Sequence, residues 1–373
     1  MSSPHIEVDL NKVRLNTQTI VQRLKARGVR VTGVTKAACG HPAIAKAMLD
    51  GGAVGLAEAR ISNVQRLRKA GITSPITLIR TPMLSQVDQV VQFCEASYNT
   101  EVAVIAALGA AAVRRNKIHG IILMVEMGDR REGILPDNLV SIAQFVMKTD
   151  GVALKGIGGN SSCLSGVAPH ADQLVALSTL ADDLDKVCAG VLQTVSGGNS
   201  ASLHGALAEP TTGRINDLRL GEAILLGVDP VTGDQIGGLY KDAFTLIAEV
   251  IETDAKSATV PVARFDPTLP QIQIVSNRDI AARMILAIGQ QDTDISGLSM
   301  PAGTRLIGAT SDHLVIGTTC PTLRLGSKVR FQMNYKALMH AMAAPDIETR
   351  LLLDRPLERP RRIQTKTKYL TLV

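Results

Sequence analysis

Short apolar runs alternate with amphipathic segments along the first two-thirds of the chain. DLNKVRLNTQTIVQRLKARG, residues 9–28, spaces its apolar positions three and four apart and ends on glycine, which is typical of a helix. RVTGVTK follows as a β-branched strand, and the same alternation continues to about residue 235. It predicts eight strands, near residues 31–36, 54–59, 76–82, 96–99, 121–127, 153–158, 192–197 and 217–220.

Eight apolar strands that alternate with amphipathic helices are typical of an α/β protein with a (β/α)8 TIM-type barrel. A doubly wound open sheet is the alternative for the same alternation. The number of strands favours the barrel, which we expect to occupy residues 1–235.

The pattern changes at about residue 236. AFTLIAEVIETDA, TRLIGATSDHLVIGT and SKVRFQMNY are short strands separated by turn residues, with little helical period. They predict a smaller C-terminal all-β domain over residues 236–345, closed by a helix in NYKALMHAMAAPD. Residues 346–373 contain RPLERPRRIQTKTK and are expected to form a basic C-terminal tail.

Composition narrows the function classes. The 373 residues have a formal net charge of +6 and contain no Trp, four Tyr and five Phe. A nucleic-acid-binding protein is supported by the basic tail alone, because aromatic surfaces for stacking bases are almost lacking. We therefore expect no nucleic acid as partner. No apolar run reaches the ~18 residues of a membrane span, so we expect no membrane as partner either. Metal-ligand spacing is lacking among the cysteines, which indicate reduced thiols in the cytoplasm: Cys39, Cys94, Cys163, Cys188 and Cys320.

The stretch VRVTGVTKAACG, residues 29–40, places a lysine where a β-branched strand ends. Burial lowers the pKa of a lysine and leaves more free amine. Such an amine either extends back to water or acts as an imine-forming nucleophile. Because active-site residues of a barrel lie at the C-terminal ends of its strands, Lys36 is a candidate catalytic residue.

Glycine-containing loops follow the last two predicted strands, SGGNS at residues 196–200 and RLGEA at residues 219–223. Loops at these positions of a barrel commonly bind phosphate, through hydroxyls and through backbone amides that glycine leaves accessible. Together with Lys36 they predict a phosphorylated aldehyde cofactor, and pyridoxal phosphate fits. The candidate cofactor-binding residues of the two loops are Ser196, Gly198, Asn199, Ser200, Arg219, Gly221 and Glu222.

Five motifs in order, VTKAACGHP, MGDRREGI, GIGGNSSC, VSGGNSASL and INDLRLGEAILLG, resemble those of the alanine racemase superfamily of fold-type III pyridoxal phosphate enzymes. The chain is most similar to the ornithine racemase-like branch. RMILAIGQQDTDISGLSMP, GATSDHLVIGTT and FQMNYKALMHAM extend the resemblance through the second domain. The resemblance implies a pyridoxal phosphate-dependent amino-acid racemase, with its site between one barrel and the β domain of the other chain in a head-to-tail homodimer.

The resemblance also implies roles for single residues. Lys36 matches the lysine that forms the internal aldimine and acts as one acid/base. Ser200 matches a hydroxyl that binds the cofactor phosphate, and Gly221 lies in the matching backbone loop. Arg219 matches the arginine that faces the pyridine nitrogen, where an always-charged donor disfavours protonation.

Substrate residues follow from the same resemblance. Arg131 falls near the arginine that contacts the substrate carboxylate, and Arg130 is the alternative one residue earlier. The ornithine-like similarity implies an extended or basic substrate side chain. Glu58, Glu126 and Glu132 are the acidic residues that either neutralise its distal ammonium group or pair with nearby arginines.

Four positions depart from alanine racemase. Gln290 stands where the family has a catalytic tyrosine, and Asn160, a further cofactor-binding candidate, replaces the histidine that supports that tyrosine. Cys39 replaces the tyrosine after the active-site lysine, in a loop one residue shorter, and Met124 replaces a lysine that carries a carbamate in some relatives. Glutamine cannot transfer a proton, so the second base must be another residue.

The candidates for the second base come from two places. The second domain offers Asp292, Asp294, Asp312 and His313, and the loop after Lys36 offers Cys39. The missing tyrosine also leaves a lyase or decarboxylase on the same fold as an alternative. A pyridoxal phosphate carrier without turnover is a further alternative, against which the second domain stands.

Overall fold

In a computed structural model of the chain, the described residues are 4–160, 171–208, 213–254, 282–318 and 323–352. They divide into two compact units. The first unit comprises Asn11–Lys36 and Gly40–Lys241, and the second comprises the described residues up to Leu10, Ala37–Cys39 and those from Asp242 onward.

The described elements are numbered in chain order. The strands are β1 (His5–Asp9), β2 (Arg30–Val34), β3 (Gly55–Glu58), β4 (Ile76–Leu78), β5 (Ala96–Asn99), β6 (His119–Val125), β7 (Val152–Gly159), β8 (Thr194–Ser196), β9 (Asp217–Leu220), β10 (Phe244–Asp254), β11 (Ala282–Leu286), β12 (Leu298–Ser299), β13 (Thr304–Ala309), β14 (Leu314–Thr318), β15 (Lys328–Met333) and β16 (Glu348–Leu352). The α-helices are α1 (Leu10–Lys25), α2 (Pro42–Asp50), α3 (Ile61–Lys69), α4 (Val87–Phe93), α5 (Val102–Arg114), α6 (Pro136–Lys148), α7 (Ala171–Val187), α8 (Leu203–Ala208), α9 (Glu222–Leu226) and α10 (Tyr335–Ala343).

Strands β2 to β9 close into one parallel barrel. Strand β2 pairs with β3 on one side and with β9 on the other, so that Gly33 lies opposite both Leu56 and Leu220. The (β/α)8 barrel is therefore confirmed, and the doubly wound open sheet is wrong, because an open sheet leaves its two outer strands without this closing pair. Closure brings the C-terminal ends of all eight strands to one rim.

The barrel strands are apolar because both of their faces are covered. Strand β6, HGIILMV, is buried at every residue, as expected for a parallel strand between the barrel interior and the helices. Inside, Tyr98, Ile122 and Met124 form a buried cluster. At Gly156 a Cβ atom would lie 1.9 Å from the carbonyl oxygen of Thr194, so glycine is required for β7 to pair with β8.

The second unit is built on an eight-stranded sheet, which confirms the predicted all-β domain. Its main path is β12-β15-β10-β11-β14-β13, and β1 pairs antiparallel with β10 and parallel with β16. Helix α10 occupies the predicted closing helix.

Two strands at the chain ends differ from the sequence-based expectation. Strand β1 lies within residues 1–235, expected as barrel, and β16 lies within residues 346–373, expected as tail, yet both belong to the sheet of the second unit. Each is five residues long and pairs with strands far away along the chain, so its local sequence carries too little periodicity to reveal it. Residues 353–373, which hold most of the expected tail, lie outside the described residues, as do Cys163 and Cys320.

Two negative findings apply to the described part of the chain. None of its helices combines the length and apolar character that crossing a membrane requires. Its His, Cys, Asp and Glu side chains form no group of three or more that could hold a metal ion. Three of the cysteines are described, and no disulfide joins any two of them: Cys39, Cys94 and Cys188.

Candidate active site

Lys36 stands at the C-terminal end of β2, on the barrel rim. A short 3-10 turn covers Lys36–Ala38, and the backbone N–H of Gly40 closes it by donating to the carbonyl oxygen of Thr35 at 3.2 Å. Cys39 and Gly40 have φ angles of 50° and 63°, in the left-handed region, which reverses the chain within a few residues. The Lys36 side chain is half-buried. The structure therefore puts the lysine where the sequence predicts it, with Cys39 three residues away in the same turn.

Glu58 ends β3 and is fully buried. Its carboxylate accepts hydrogen bonds from Thr35 Oγ1 at 2.9 Å, from Asn63 Nδ2 at 3.2 Å and from the backbone N–H groups of Ala59 and Arg60. Burial raises the pKa of Glu58, and these donors oppose the rise. Groups of the protein itself thus donate to the carboxylate that was one candidate for neutralising a substrate ammonium group.

Arg219 is buried in the barrel interior, with 4% exposure. Its Nη1 donates to Ser196 Oγ at 2.6 Å and to the Tyr98 hydroxyl at 3.0 Å, and its Nη2 donates to the carbonyl oxygen of Gly159 at 2.7 Å. The Ser196 hydroxyl donates to Asp217 Oδ2 at 2.6 Å. A buried cation is thereby linked to a buried anion through one serine, which compensates the loss of hydration of both.

Two members of this group, Tyr98 and Asp217, were missed from the sequence. Asp217 precedes Arg219 by two residues on β9, and period-2 alternation places both on one face of the strand. That spacing was a usable signal for Asp217. Tyr98 carries no local signal, because only barrel closure brings β5 across from β9.

The two predicted phosphate loops meet beside α9. Ser200 Oγ accepts a hydrogen bond from the backbone N–H of Ala223 at 3.1 Å. Gly198 has a φ of 123°, and a Cβ atom there would lie 2.5 Å from Ser202 Oγ. Ser202 is buried, and its hydroxyl has no hydrogen-bond partner among the described residues. An unpaired buried hydroxyl is unfavourable, and a bound phosphate oxygen would pair with it, so the loops fit an anion.

Asn160 connects three of the loops at the rim. Its Nδ2 donates to Asp129 Oδ2 at 2.9 Å, and its Oδ1 accepts from Asn199 Nδ2 at 3.2 Å. Asn199 Oδ1 in turn accepts from the backbone N–H of Ala201 at 2.8 Å. Asn160 and Asn199 therefore hold the SGGNS loop in place through their side chains.

Arg130 and Arg131 lie in the loop after β6, and both side chains are exposed. Arg130 has a φ of 53°, and its backbone N–H donates to Glu126 Oε1 at 3.0 Å. Arg131 forms an ion pair with Glu132. Two of the three glutamates considered for a substrate ammonium group are thus engaged with this loop, and a substrate role for either arginine stays a prediction.

Glu222 begins α9 next to the end of β2. A Cβ atom on Gly221 would lie 3.1 Å from the carbonyl oxygen of Val34, which shows how closely the two segments approach. Glu222 is half-buried, and burial raises its pKa to about 7, a rise that the nearby Lys36 opposes and Asp229 adds to. Glu222 is therefore a carboxyl group that titrates near neutral pH beside Lys36.

In the second unit, Gln290 lies in a loop held against the turn between β13 and β14. Its backbone N–H donates to the carbonyl oxygen of Thr310 at 2.9 Å. A Cβ atom on Gly289 would lie 2.3 Å from the carbonyl oxygen of Ser311. Asp292 Oδ2 accepts from the backbone N–H of Gly289 at 2.8 Å, and burial raises the pKa of Asp292.

Three other second-base candidates lie near this loop. Asp312 Oδ1 lies 3.0 Å from His313 Nδ1, and the hydroxyl of Ser311 donates to the same oxygen at 3.1 Å. These contacts, the Ser311 hydrogen bond first, lower the pKa of Asp312. A carboxylate on one ring nitrogen orients the imidazole and leaves the other nitrogen for a substrate. Asp294 instead forms an ion pair with Lys336 at 3.2 Å.

Comparison with known proteins identifies the family. A family model described as "Alanine racemase, N-terminal domain" matches residues 8–229, a range that includes every strand of the barrel. The chain belongs to the alanine racemase family. The resemblance drawn from the sequence motifs is thus confirmed.

The family includes two similar relatives that match over almost their whole length. An ornithine racemase from Acetoanaerobium sticklandii is 34% identical, over 94% of this chain and 99% of the relative. A lysine racemase from Thermotoga maritima is 32% identical, over 93% of this chain and 98% of the relative.

Solved structures share the fold of this family member at low sequence identity. An alanine racemase from a D-cycloserine-producing Streptomyces lavendulae superposes with a TM-score of 0.73 at 18% identity, over 95% of this chain and 98% of that one. A D-threonine aldolase from Filomicrobium marinum superposes with a TM-score of 0.70 at 17% identity, over 91% of this chain and 88% of that one. Both are similar to this chain in fold.

Proposed function

We propose that the protein is a pyridoxal phosphate-dependent amino-acid racemase that acts on an extended, basic amino acid such as ornithine or lysine. The observation that carries the proposal is the arrangement of Lys36, buried Arg219 and two joined glycine loops on one barrel rim. The near full-length similarity to an ornithine racemase and a lysine racemase supports the reaction and the substrate class.

The described residues fit pyridoxal phosphate. Gly198, Ser200, Ser202 and Gly221 would hold the phosphate, and the buried, unpaired hydroxyl of Ser202 is the observation that supports this placement. Arg219 would face the ring nitrogen as a fixed cationic donor, held there by Ser196. When bound, the cofactor supplies an aldehyde for amines and withdraws electrons from the substrate Cα–H bond.

Lys36 then has two tasks. Its amine would hold the cofactor covalently, and the same amine would move a proton at one face of the substrate Cα. The exposed guanidinium of Arg131, or that of Arg130, would bind the substrate carboxylate.

Racemisation needs a second acid/base on the other face of Cα. We assign this role to His313 of the partner subunit in a head-to-tail homodimer, because Asp312 orients its imidazole. Asp292 is a weaker candidate, since one of its oxygens already accepts from the backbone of its own loop. Cys39 is the candidate in the turn that follows Lys36, where its backbone is left-handed.

Purified full-length protein loaded with pyridoxal phosphate tests the proposal. With D- and L-ornithine and D- and L-lysine in heavy water, we expect inversion with deuterium uptake at Cα, and loss of both in Lys36→Ala. Release of ammonia or carbon dioxide would show a lyase or decarboxylase instead. Cofactor binding without any Cα exchange, across all twenty amino acids and ornithine, would show a carrier protein.

A further inference from the structure

The buried side chain of Glu58 is linked to both ends of the turn that carries Lys36. It accepts a hydrogen bond from Thr35 and another from Asn63, which packs against Gly40. Glu58 ends β3, the barrel neighbour of β2, and its side chain is fully buried. It is an ionisable group inside the barrel wall for which the proposed reaction has no direct use. Such a group requires a structural or mechanistic reason, because burying a carboxyl group is unfavourable.

At the start of the turn, Thr35 is held at all three of its polar atoms. Its backbone N–H donates to the carbonyl oxygen of Ala57 at 3.1 Å, and its own carbonyl oxygen accepts from Gly40 at 3.2 Å. Its hydroxyl donates to Glu58 Oε1 at 2.9 Å. Because Thr35 directly precedes Lys36, these three bonds fix the position from which the lysine side chain extends.

At the end of the turn, Gly40 packs against Asn63. A Cβ atom on Gly40 would lie 2.8 Å from Asn63 Cβ and 2.9 Å from its carbonyl oxygen, so a glycine is required for this approach. Asn63 Nδ2 donates to Glu58 Oε2 at 3.2 Å. The Glu58 carboxylate thus contacts Thr35, at the start of the turn, directly. It reaches Gly40, at the end of the turn, through Asn63.

The groups around this carboxylate match its ionised form. Oε2 faces the backbone N–H groups of Ala59 and Arg60 as well as Asn63, and Oε1 faces the hydroxyl of Thr35. Backbone and amide N–H groups can only donate, so Oε2 offers no position for a proton. In the ionised form Oε1 accepts as well, which makes the Thr35 hydroxyl the donor of this bond.

We propose that Glu58 is a positioning residue for Lys36, acting through Thr35 and Asn63 to aim the lysine amine at the cofactor aldehyde. This inference rests on the proposed function, since the amine has this reaction partner only if pyridoxal phosphate binds. In the affected step, the amine nitrogen adds to the aldehyde carbon and one water leaves, forming a C=N bond. A misdirected amine slows this step, because reaction rates depend steeply on the orientation of the reacting atoms.

Two probes separate positioning from cofactor binding in the full-length protein freed of cofactor. Pyridoxal phosphate attaches to Lys36 and is followed by its visible absorbance and, after borohydride reduction, by the mass added to the lysine. Pyridoxamine phosphate has an amine in place of the aldehyde, so it binds the phosphate loops without attaching. The variants are Thr35→Val, which removes the hydroxyl at nearly constant volume, Thr35→Ser, which restores it, and Glu58→Gln.

We expect Thr35→Val to slow attachment on the order of tenfold or more, Glu58→Gln to slow it further, and Thr35→Ser to restore most of the rate. Pyridoxamine phosphate affinity should stay unchanged in all three. Thr17→Val is the matched control, because it removes a buried threonine hydroxyl bond in α1, to the carbonyl oxygen of Val13 at 2.8 Å. Its attachment rate should equal that of the wild type.

Wild-type attachment rates in Thr35→Val and in folded Glu58→Gln would overturn the inference. So would a parallel loss of pyridoxamine phosphate affinity in Thr35→Val, because that outcome means a general change in the barrel rim. If Glu58→Gln does not fold, the Thr35 pair decides the question. Failure of the wild type to bind either probe would instead refute the proposed function.

Discussion

The guanidinium of Arg219 lies over the ring of Tyr98, with Cζ 4.7 Å from the ring centroid and Nη1 3.0 Å from the phenol oxygen. Burial raises the pKa of Tyr98, so its phenol stays neutral and accepts the hydrogen bond. The charge of Arg219 is balanced elsewhere, through the Ser196 hydroxyl, by Asp217.

This arrangement predicts unequal effects of two conservative substitutions. Ser196→Ala leaves a buried donor of Arg219 and a buried acceptor of Asp217 without their shared partner, and we expect a loss of about 2–3 kcal/mol in the free energy of unfolding. Tyr98→Phe keeps the ring and removes one hydrogen bond, so the loss should be about 1 kcal/mol. Urea denaturation measures both, and equal losses would contradict the central position of the serine.

The proposed phosphate site predicts a sharp difference between two glycines with positive φ. A Cβ atom on Gly198 meets Ser202 Oγ at 2.5 Å, whereas one on Gly190, with a φ of 72°, has nothing within 4 Å. Both alanine variants carry backbone strain of about 1–3 kcal/mol. Only Gly198→Ala should weaken the binding of pyridoxamine phosphate, measured by calorimetry. A similar loss in Gly190→Ala would remove the loop from the proposed phosphate site.

Acid stability should depend on His119, which begins β6 at 2% exposure. Burial lowers the pKa of His119 from 6.5 to about 4. Between these values the unfolded chain takes up a proton that the folded protein does not, so stability falls as the pH drops through this window. The full contribution is about 3 kcal/mol.

Urea denaturation at a series of pH values checks this contribution. The pKa of His119 in the unfolded and in the folded chain sets the window, from pH 6.5 to about pH 4. Over this window a His119→Gln variant should lose less stability than the wild type. The exposed His340 on α10 provides the control, since His340→Gln should follow the wild-type curve. Parallel curves for His119→Gln and the wild type would contradict the prediction.

The assignment of the second base to His313 predicts that its loss impairs the reaction of one substrate enantiomer only. If His313 moves the proton at one face of Cα and Lys36 at the other, His313→Asn should retain deuterium exchange from one lysine enantiomer. Exchange from the opposite enantiomer should fall on the order of 100-fold. Proton NMR of D- and L-lysine in heavy water measures both rates.

Asp292→Asn is the matched control, because asparagine keeps an acceptor oxygen for the N–H of Gly289. It should leave both exchange rates close to wild type. If this variant shows the one-sided loss and His313→Asn does not, then Asp292 is the second base.

The pattern of apolar and polar residues was sufficient to predict the barrel and the position of Lys36 on its rim. Each barrel strand is a short apolar run next to an amphipathic helix, and a lysine at the end of such a run lies on the rim of any barrel. The glycine loops were also readable, since loops after the last two strands of a barrel commonly bind phosphate, and their role here stays a prediction.

Contacts between distant segments were not readable in this way. Glu58 appeared as a candidate for a substrate ammonium group, yet its oxygens are taken by Thr35 and Asn63 among others. Tyr98 showed no chemical signal, yet it lies against Arg219, 121 residues away. Local periodicity reports which face of an element is buried, whereas the partner of a buried polar group is selected by barrel closure, which depends on the whole chain.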